Sequence, residues 1–364
     1  MTLEPTALET LGWDTGWAES FAPFAAAGHR PARVVAVHRE TSIVRDGTGD
    51  RPAGVSGTFR FGALAHVDFP TVGDWIALDG DVITAILPRR SVFKRMAADS
   101  TRRGGRLDDE QIMASNIDVA LLVAGLDNDF NLRRIERYLA IAWSSAITPV
   151  VVLNKSDLAD DVDGRLVAVE AIAPGVATVP VSARTGAGLD DLRGHLRPGM
   201  TAAILGSSGV GKSTLVNALL GEDRQATAEV RDSDSRGRHT TTHRELFELP
   251  GGALLVDTPG IRALEVLGAD EGVETVFDDV VDIAATCRFS DCRHEGEPGC
   301  AVRAALADGR LTESRLASHR KLERELARAA RETDPRARAE HRRTWKILHK
   351  SVSEHMQRKY GGET

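Results

Sequence analysis

Apolar and polar positions follow two different rhythms along this chain. Between residues 32 and 87, short β-rich runs at 33–38, 42–45, 57–61, 75–78 and 82–87 are separated by turn-formers such as Asp46-Gly47, Gly73-Asp74 and Asp79-Gly80-Asp81. Five short strands in so little chain predict a small closed barrel of the five-stranded oligonucleotide-binding (OB) type. Beyond residue 119 the rhythm changes. Strands predicted at 119–124, 149–153, 178–181 and 202–205 alternate with helices at 132–143, 165–172, 189–196 and 212–220, and strands at 245–249 and 253–256 flank the turn Pro250-Gly251-Gly252. That alternation predicts an α/β domain on a mostly parallel sheet. Helices follow at 301–306 and 312–331, the second rich in i,i+4 charge pairs. Residues 1–30 have no clear period and read as an extension with a short helix, and 101–115 read as a polar linker. The expected division is an extension over 1–30, a barrel over 31–100, an α/β domain over 101–270 and a C-terminal α-helical domain over 271–364.

Composition narrows the class. The chain has 364 residues, 42% apolar and 27% charged, the balance of a soluble protein long enough for two or three domains. No apolar run approaches the roughly 18 residues of a spanning helix, and acidic residues precede the first basic one, Arg30. A cytoplasmic protein without a membrane partner is therefore expected. The net charge of −7 is uneven: from Arg320 onward there are 13 Lys/Arg against 7 Asp/Glu, so a basic tail follows an acidic body. Within the tail, Arg342, Arg343, Lys346, Lys350, Arg358 and Lys359 surround Trp345 and Ile347. This is either a basic amphipathic helix for RNA phosphates or a solvated helix docked through Trp345. Arg89, Arg90, Lys94 and Arg95, near Phe59, Phe61 and Trp75, allow a stacking and phosphate-binding surface on the barrel, or the aromatics fill its core.

The most specific chemistry lies at Gly206-Ser207-Ser208-Gly209-Val210-Gly211-Lys212-Ser213-Thr214, between a predicted strand and a predicted helix. This is the context a phosphate-binding P-loop requires. Its backbone N–H groups and the helix N-terminus surround phosphates, Lys212 neutralises them, and the Ser213 hydroxyl suits Mg²⁺. Asn154-Lys155-Ser156-Asp157 closes another strand. The Asp157 carboxylate can accept from the N1–H and exocyclic amine of guanine, a pattern adenine lacks, and Ser182-Ala183 at the next strand end supplies a backbone N–H to the base. GTP is the expected ligand.

Asp257-Thr258-Pro259-Gly260 follows the strand at 253–256, with Asp257 suited to Mg²⁺ through water and the Gly260 N–H to the γ-phosphate. Upstream, Gly237-Arg238-His239-Thr240-Thr241-Thr242 supplies hydroxyls, with Thr240 and Thr241 both open as the Mg²⁺ ligand. In an ordinary G domain the P-loop comes first and the guanine motifs last; here the order is reversed, so the domain is circularly permuted. Ile261 follows Gly260, where many GTPases carry a water-orienting Gln. Ile has no polar atom, so His239 or a group on a partner must orient the attacking water, and intrinsic turnover should be low.

Cys287, Cys292, His294 and Cys300 gather every cysteine of the chain into 14 residues. Three thiolates and an imidazole form a closed tetrahedral set suited to one structural Zn²⁺, with no position left for catalysis. That closed set also weakens a metal-delivery reading.

Taken with the permuted order, Gly-Ser-Ser-Gly-Val-Gly-Lys-Ser, Gly-Arg-His-Thr-Thr-Thr, Asp-Thr-Pro-Gly-Ile and Cys-x4-Cys-x-His-x5-Cys, the chain resembles the bacterial small-ribosomal-subunit-dependent GTPases of RsgA/YjeQ type over roughly 31–330. The resemblance implies an N-terminal OB barrel, a permuted G domain and a C-terminal zinc domain. It further implies a late assembly factor that binds small-subunit rRNA and leaves after GTP hydrolysis to GDP, stimulated by the subunit; a monomer is expected. The alternative is an RNA-binding scaffold that uses GTP as a conformational ligand.

Overall fold

The computed structural model describes residues 6–38, 41–63, 65–96, 110–127, 129–222, 244–257 and 269–333. Helix α1 (Thr15–Ala26) is capped by Asp14, whose carboxylate accepts the Trp17 N–H. It buries Trp17 and Phe21. Trp17 lies 6.2 Å from the ring of Trp75, which is buried on the outer side of the barrel wall while its neighbours Ile76 and Leu78 fill the interior. The N-terminal segment is thus packed onto the barrel by aromatic side chains that its lack of period conceals.

The barrel is built from β1 (Arg30–His38), β2 (Thr41–Asp46), β3 (Gly49–Val55), β4 (Trp75–Asp79) and β5 (Val82–Ile86). The strands run in the order β1-β2-β3-β5-β4, and a β1–β4 pairing closes the ring. Five strands are present as expected, but one is not where the sequence suggested. The run at 57–61 is helix α2 (Gly57–Gly62), because the Ser56 hydroxyl caps it by accepting the Phe59 N–H at 3.0 Å. The fifth strand is Gly49–Val55, whose two glycines and Pro52 hide its β character. It is set by the Asp46 turn, where the carboxylate accepts from the Thr48 N–H and hydroxyl.

Arg89 and Arg90 of the basic cluster after the barrel are spent internally. Arg89 pairs with the fully buried Asp74 at 2.7 Å and donates to the carbonyls of Val67 and Phe69. Arg90 pairs with Asp14 and lies over the Trp17 ring, 4.0 Å from its centroid. Trp75 is buried, but in the cluster outside the barrel's own interior, whereas Phe61 is 92% exposed. The expected linker at 101–115 ends in a strand: β6 (Val92–Met96) pairs antiparallel with β7 (Glu110–Ser115), burying Met113 and Ala114.

The α/β region contains β8 (Val119–Gly125), α3 (Leu132–Ser144), β9 (Thr148–Asn154), α4 (Val162–Glu170), β10 (Thr178–Pro180), α5 (Leu189–Gly194), β11 (Thr201–Gly206), α6 (Lys212–Leu220), β12 (Arg244–Glu248) and β13 (Leu254–Asp257). Their order is β10-β9-β8-β11-β13-β12; the first five are parallel and β12 is antiparallel. The parallel strands are near-continuous apolar runs because helices cover both faces. One feature was not legible beforehand: β12 also pairs with β1, Ala36 opposite Glu245, so barrel and α/β sheet are continuous.

C-terminally, α7 (Asp270–Val276), α8 (Asp278–Ala285), α9 (Ala301–Ala307) and α10 (Glu313–Thr333) pack beside α3. The Arg315 guanidinium on α10 bonds the buried Glu136 of α3 at 2.8 Å and Asp279 of α8 at 3.0 Å, over the face of Phe277. Burial pushes the Glu136 carboxyl up even against this neighbour. Among the described residues no helix is long and apolar enough to cross a membrane.

Candidate functional site

Three strand ends build the candidate nucleotide cradle. β11 runs into the P-loop, β9 into Asn154–Asp157, and β10 into Ser182-Ala183; all open at the carboxyl edge of a parallel sheet, where such folds bind ligands. Glycine is obligatory at two points. A Cβ on Gly206 would stand 2.6 Å from the Val123 carbonyl, and one on Gly211 (φ +89°) would stand 2.5 Å from Asn154 Nδ2.

Asn154 ties the cradle together and is only 2% exposed. Its Nδ2 donates to the Val210 carbonyl of the P-loop at 2.8 Å, and its Oδ1 accepts the Ala183 N–H at 3.0 Å. One side chain therefore joins all three segments. Lys155 adopts a left-handed conformation (φ +65°) that lays its ammonium on the P-loop, donating to the Gly209 carbonyl at 2.6 Å and to Asp127 at 2.5 Å. Burial raises the Asp127 carboxyl, but Lys155 and backbone N–H groups outweigh it and hold the group below the usual range. Asp157 accepts the Ser182 hydroxyl at 2.6 Å and pairs with Arg184 at 3.0 Å. The Ser182 bond, opposed by slight burial and helped by Arg184, holds its carboxyl low, so it is an acceptor near neutrality.

At the phosphate end, Lys212 curls back to donate to the carbonyls of Gly206 and Ser207. Ser213 and Thr214 sit half-exposed in the first turn of α6. Ser208 and Gly209 are exposed at the crest of the loop, while Val210 is buried beneath it. Of the expected switch residues, His239, Thr240, Thr241, Gly260 and Ile261 lie outside the described residues; the Asp257 backbone ends β13, but its side chain is not described. The basic tail at 336–359 lies outside them too.

Sequence reasoning missed Asp127, Asp129 and Arg134. They follow β8, the strand that pairs with β11, so their loop necessarily abuts the P-loop. An acidic pair just past a strand end was the available signal, but its meaning depends on that pairing.

The four side chains of the cysteine-rich loop converge: Cys287, Cys292, His294 and Cys300 bring their donor atoms within 4.8 Å of one another. His294 Nδ1 stands 3.6 Å from Cys287 Sγ and 3.5 Å from Cys300 Sγ. A tetrahedral Zn²⁺ with ordinary bond lengths requires S···N edges of about 3.5 Å, so the donor set fits. Backbone N–H groups of Ala301 and Arg303 donate to the sulfurs of Cys287 and Cys300, as thiolates require. Glu297 was also missed. Its carboxylate gathers the N–H groups of Arg293, Glu295 and Gly296, which hold its carboxyl down at about 2 and shape the loop.

Comparison with known proteins places the chain in a family. The family described as RsgA GTPase matches residues 86–267. The small ribosomal subunit biogenesis GTPase RsgA of Opitutus terrae is 48% identical over 359 residues, covering 94% of this chain and 96% of the relative. Its namesake from Streptomyces coelicolor is 44% identical, covering 98% and 97%. Among solved structures, YjeQ from Thermotoga maritima is similar with a TM-score of 0.60 and 30% identity, over 82% of this chain and 98% of that one. A circularly permuted GTPase, YloQ, shares the fold at 22% identity and a TM-score of 0.56. A permuted sheet around a guanine-nucleotide cradle, matched along nearly the whole chain by such relatives, makes this chain a member of the RsgA GTPase family of GTP-hydrolysing enzymes.

Proposed function

We propose that this protein hydrolyses GTP to GDP as a late factor in small ribosomal subunit assembly, with hydrolysis stimulated by that subunit and binding made to its rRNA. The observation that carries the reading is the Asn154 tie, which locks the guanine-side turn, the Ser182-Ala183 loop and the P-loop into one cradle. The names of the full-length relatives supply the ribosomal context.

In this reading Asp157 reads the guanine N1–H and amine, Ala183, whose N–H is held by Asn154, lines the base edge without donating to it, and Lys155 covers the nucleotide while holding Gly209. Residues Gly206 to Thr214 wrap the phosphates. Lys212 exchanges two carbonyls for phosphate oxygens, a stronger, charge-assisted contact. Hydroxyl and carboxylate oxygens are the right donors for Mg²⁺, and Ser213, Thr240 or Thr241, and Asp257 would hold it. When bound, that ion neutralises charge between the β- and γ-phosphates. His239 orients the attacking water, or a group on the subunit does. Cys287, Cys292, His294 and Cys300 hold one structural Zn²⁺ that fixes the C-terminal loop. The protein works as a cytoplasmic monomer, with functional segments at 1–30, 31–100, 101–270 and 271–364.

The test is GTP hydrolysis at fixed salt, alone and with purified small or large subunits. Stimulation of about tenfold or more by small subunits only is expected. Equal rates in all three conditions, with nucleotide still bound, would remove the ribosomal partner. Equal subunit affinity with GTP, GDP and a non-hydrolysable analogue would favour the scaffold alternative.

A further inference from the structure

Asp129 and Arg134 lie outside every nucleotide motif, yet they reach the P-loop. The Ser207 hydroxyl donates to Asp129 Oδ2 at 2.5 Å and accepts from Arg134 Nη1 at 2.7 Å; Arg134 Nη1 also donates to Asp129 Oδ2 at 2.6 Å. The three groups close a ring. Its position matters because Ser207 is otherwise held through its carbonyl by Lys212. When phosphate draws Lys212 away, the ring is the grip that stays on that residue.

The ring is also electrostatically balanced. Asp129 places a carboxylate beside a loop that must accept phosphates, and Arg134 cancels it; their side chains are 32% and 33% exposed, so solvent screens the pair only partly. Arg134 is well anchored. It sits in the first turn of α3, where Asn131 caps its N–H. Two residues on, Glu136 of the same helix is buried and clasped by Arg315 of α10.

We propose that Arg134 is a positioning residue of the GTP site. Together with Asp129 it fixes Ser207 from behind the phosphate cradle, and its charge shields the phosphates from Asp129, slowing nucleotide release. This rests on the reading of the P-loop as the GTP site.

The test is release of a fluorescent GDP from the full chain, by stopped flow at low and high salt. Arg134→Ala, which leaves the carboxylate unshielded, should speed release about tenfold at low salt and by less at high salt. It should raise KM for GTP more than it lowers kcat. Asp129→Asn alone should hold GDP as long as wild type or longer. Adding it to Arg134→Ala should bring release back to within about threefold of wild type. A ring that served only as scaffolding would make both single variants faster, with no recovery in the double; that pattern overturns the proposal. So does release within twofold of wild type for Arg134→Ala. Should that variant fold poorly, the direction of change in Asp129→Asn decides alone. Wild-type protein that binds no GDP would instead sink the GTP-site reading itself.

Discussion

The nucleotide cradle and the cysteine-rich loop solve opposite problems. Asn154, Ala183 and Val210 come from three strand ends and meet through direct hydrogen bonds. Their site exists once the parallel sheet is formed. Cys287, Cys292, His294 and Cys300 lie in one short stretch, and their convergence is a matter of local turns: Glu297 gathering three N–H groups, and Gly299 at φ +78°. The first site is made by the fold and then receives a ligand. The second is written contiguously in the chain and, on the proposed reading, would be made rigid by an ion. One therefore expects the cradle to tolerate loss of metal, and the metal loop to be indifferent to damage in the cradle.

The strongest way to break that contrast is to strip the metal. Structural Zn²⁺ contributes about 10–16 kcal/mol to comparable small sites, so chelation should abolish hydrogen-exchange protection around 287–307 while GDP affinity stays within about twofold. Simultaneous loss of protection in β11 and α6 would erase the distinction. Next in size is Asn154→Ala. It strands one buried and one part-buried backbone group, the first at about 1–3 kcal/mol, so GDP affinity should fall at least about tenfold, with one zinc per chain still retained by elemental analysis. Asp157→Asn should be more selective. Exchanging an acceptor for an amide donor should cost about 2–3 kcal/mol in GTP affinity and favour xanthosine triphosphate in competition; unchanged guanine preference would remove Asp157 from base recognition.

Smallest is a shift in pH dependence. The Ser182 hydroxyl lowers the Asp157 pKa, so its carboxylate stays ionised further into acid. A depressed carboxyl contributes above its ordinary pKa and loses that contribution as pH falls through the depressed one. Ser182→Ala should move the acid limb of GDP binding to higher pH, toward the ordinary carboxylate value of about 3.9. An unmoved limb would assign the low pKa to Arg184.

These contrasts also explain what was legible in advance. The α/β elements were readable because buried parallel strands and amphipathic helices have distinct periods. Chemistry-bearing stretches such as 206–214 and 287–300 were readable because their function depends on contiguous spacing. The barrel was less transparent: Gly49–Val55 has poor strand composition, and a single capping bond from Ser56 turns 57–61 into helix. Asp127, Asp129 and Arg134 were invisible for a different reason. Their roles come from β8 lying beside β11, a tertiary neighbour relation that no local pattern encodes.

The pairing of β1 with β12 has a consequence for how the chain is made. Ala36 leaves the ribosome early, whereas its partner Glu245 is 209 positions later. At ordinary rates of translation that interval is about 10–40 s. The barrel can close through β4 in the meantime, but the stretch of β1 at Ala36 and Val37 keeps one row of amides and carbonyls unpaired until β12 arrives. An exposed edge of that kind can pair with another nascent chain. Completion of the fold is therefore gated by β12, and crowding of nascent chains should affect yield through this one seam.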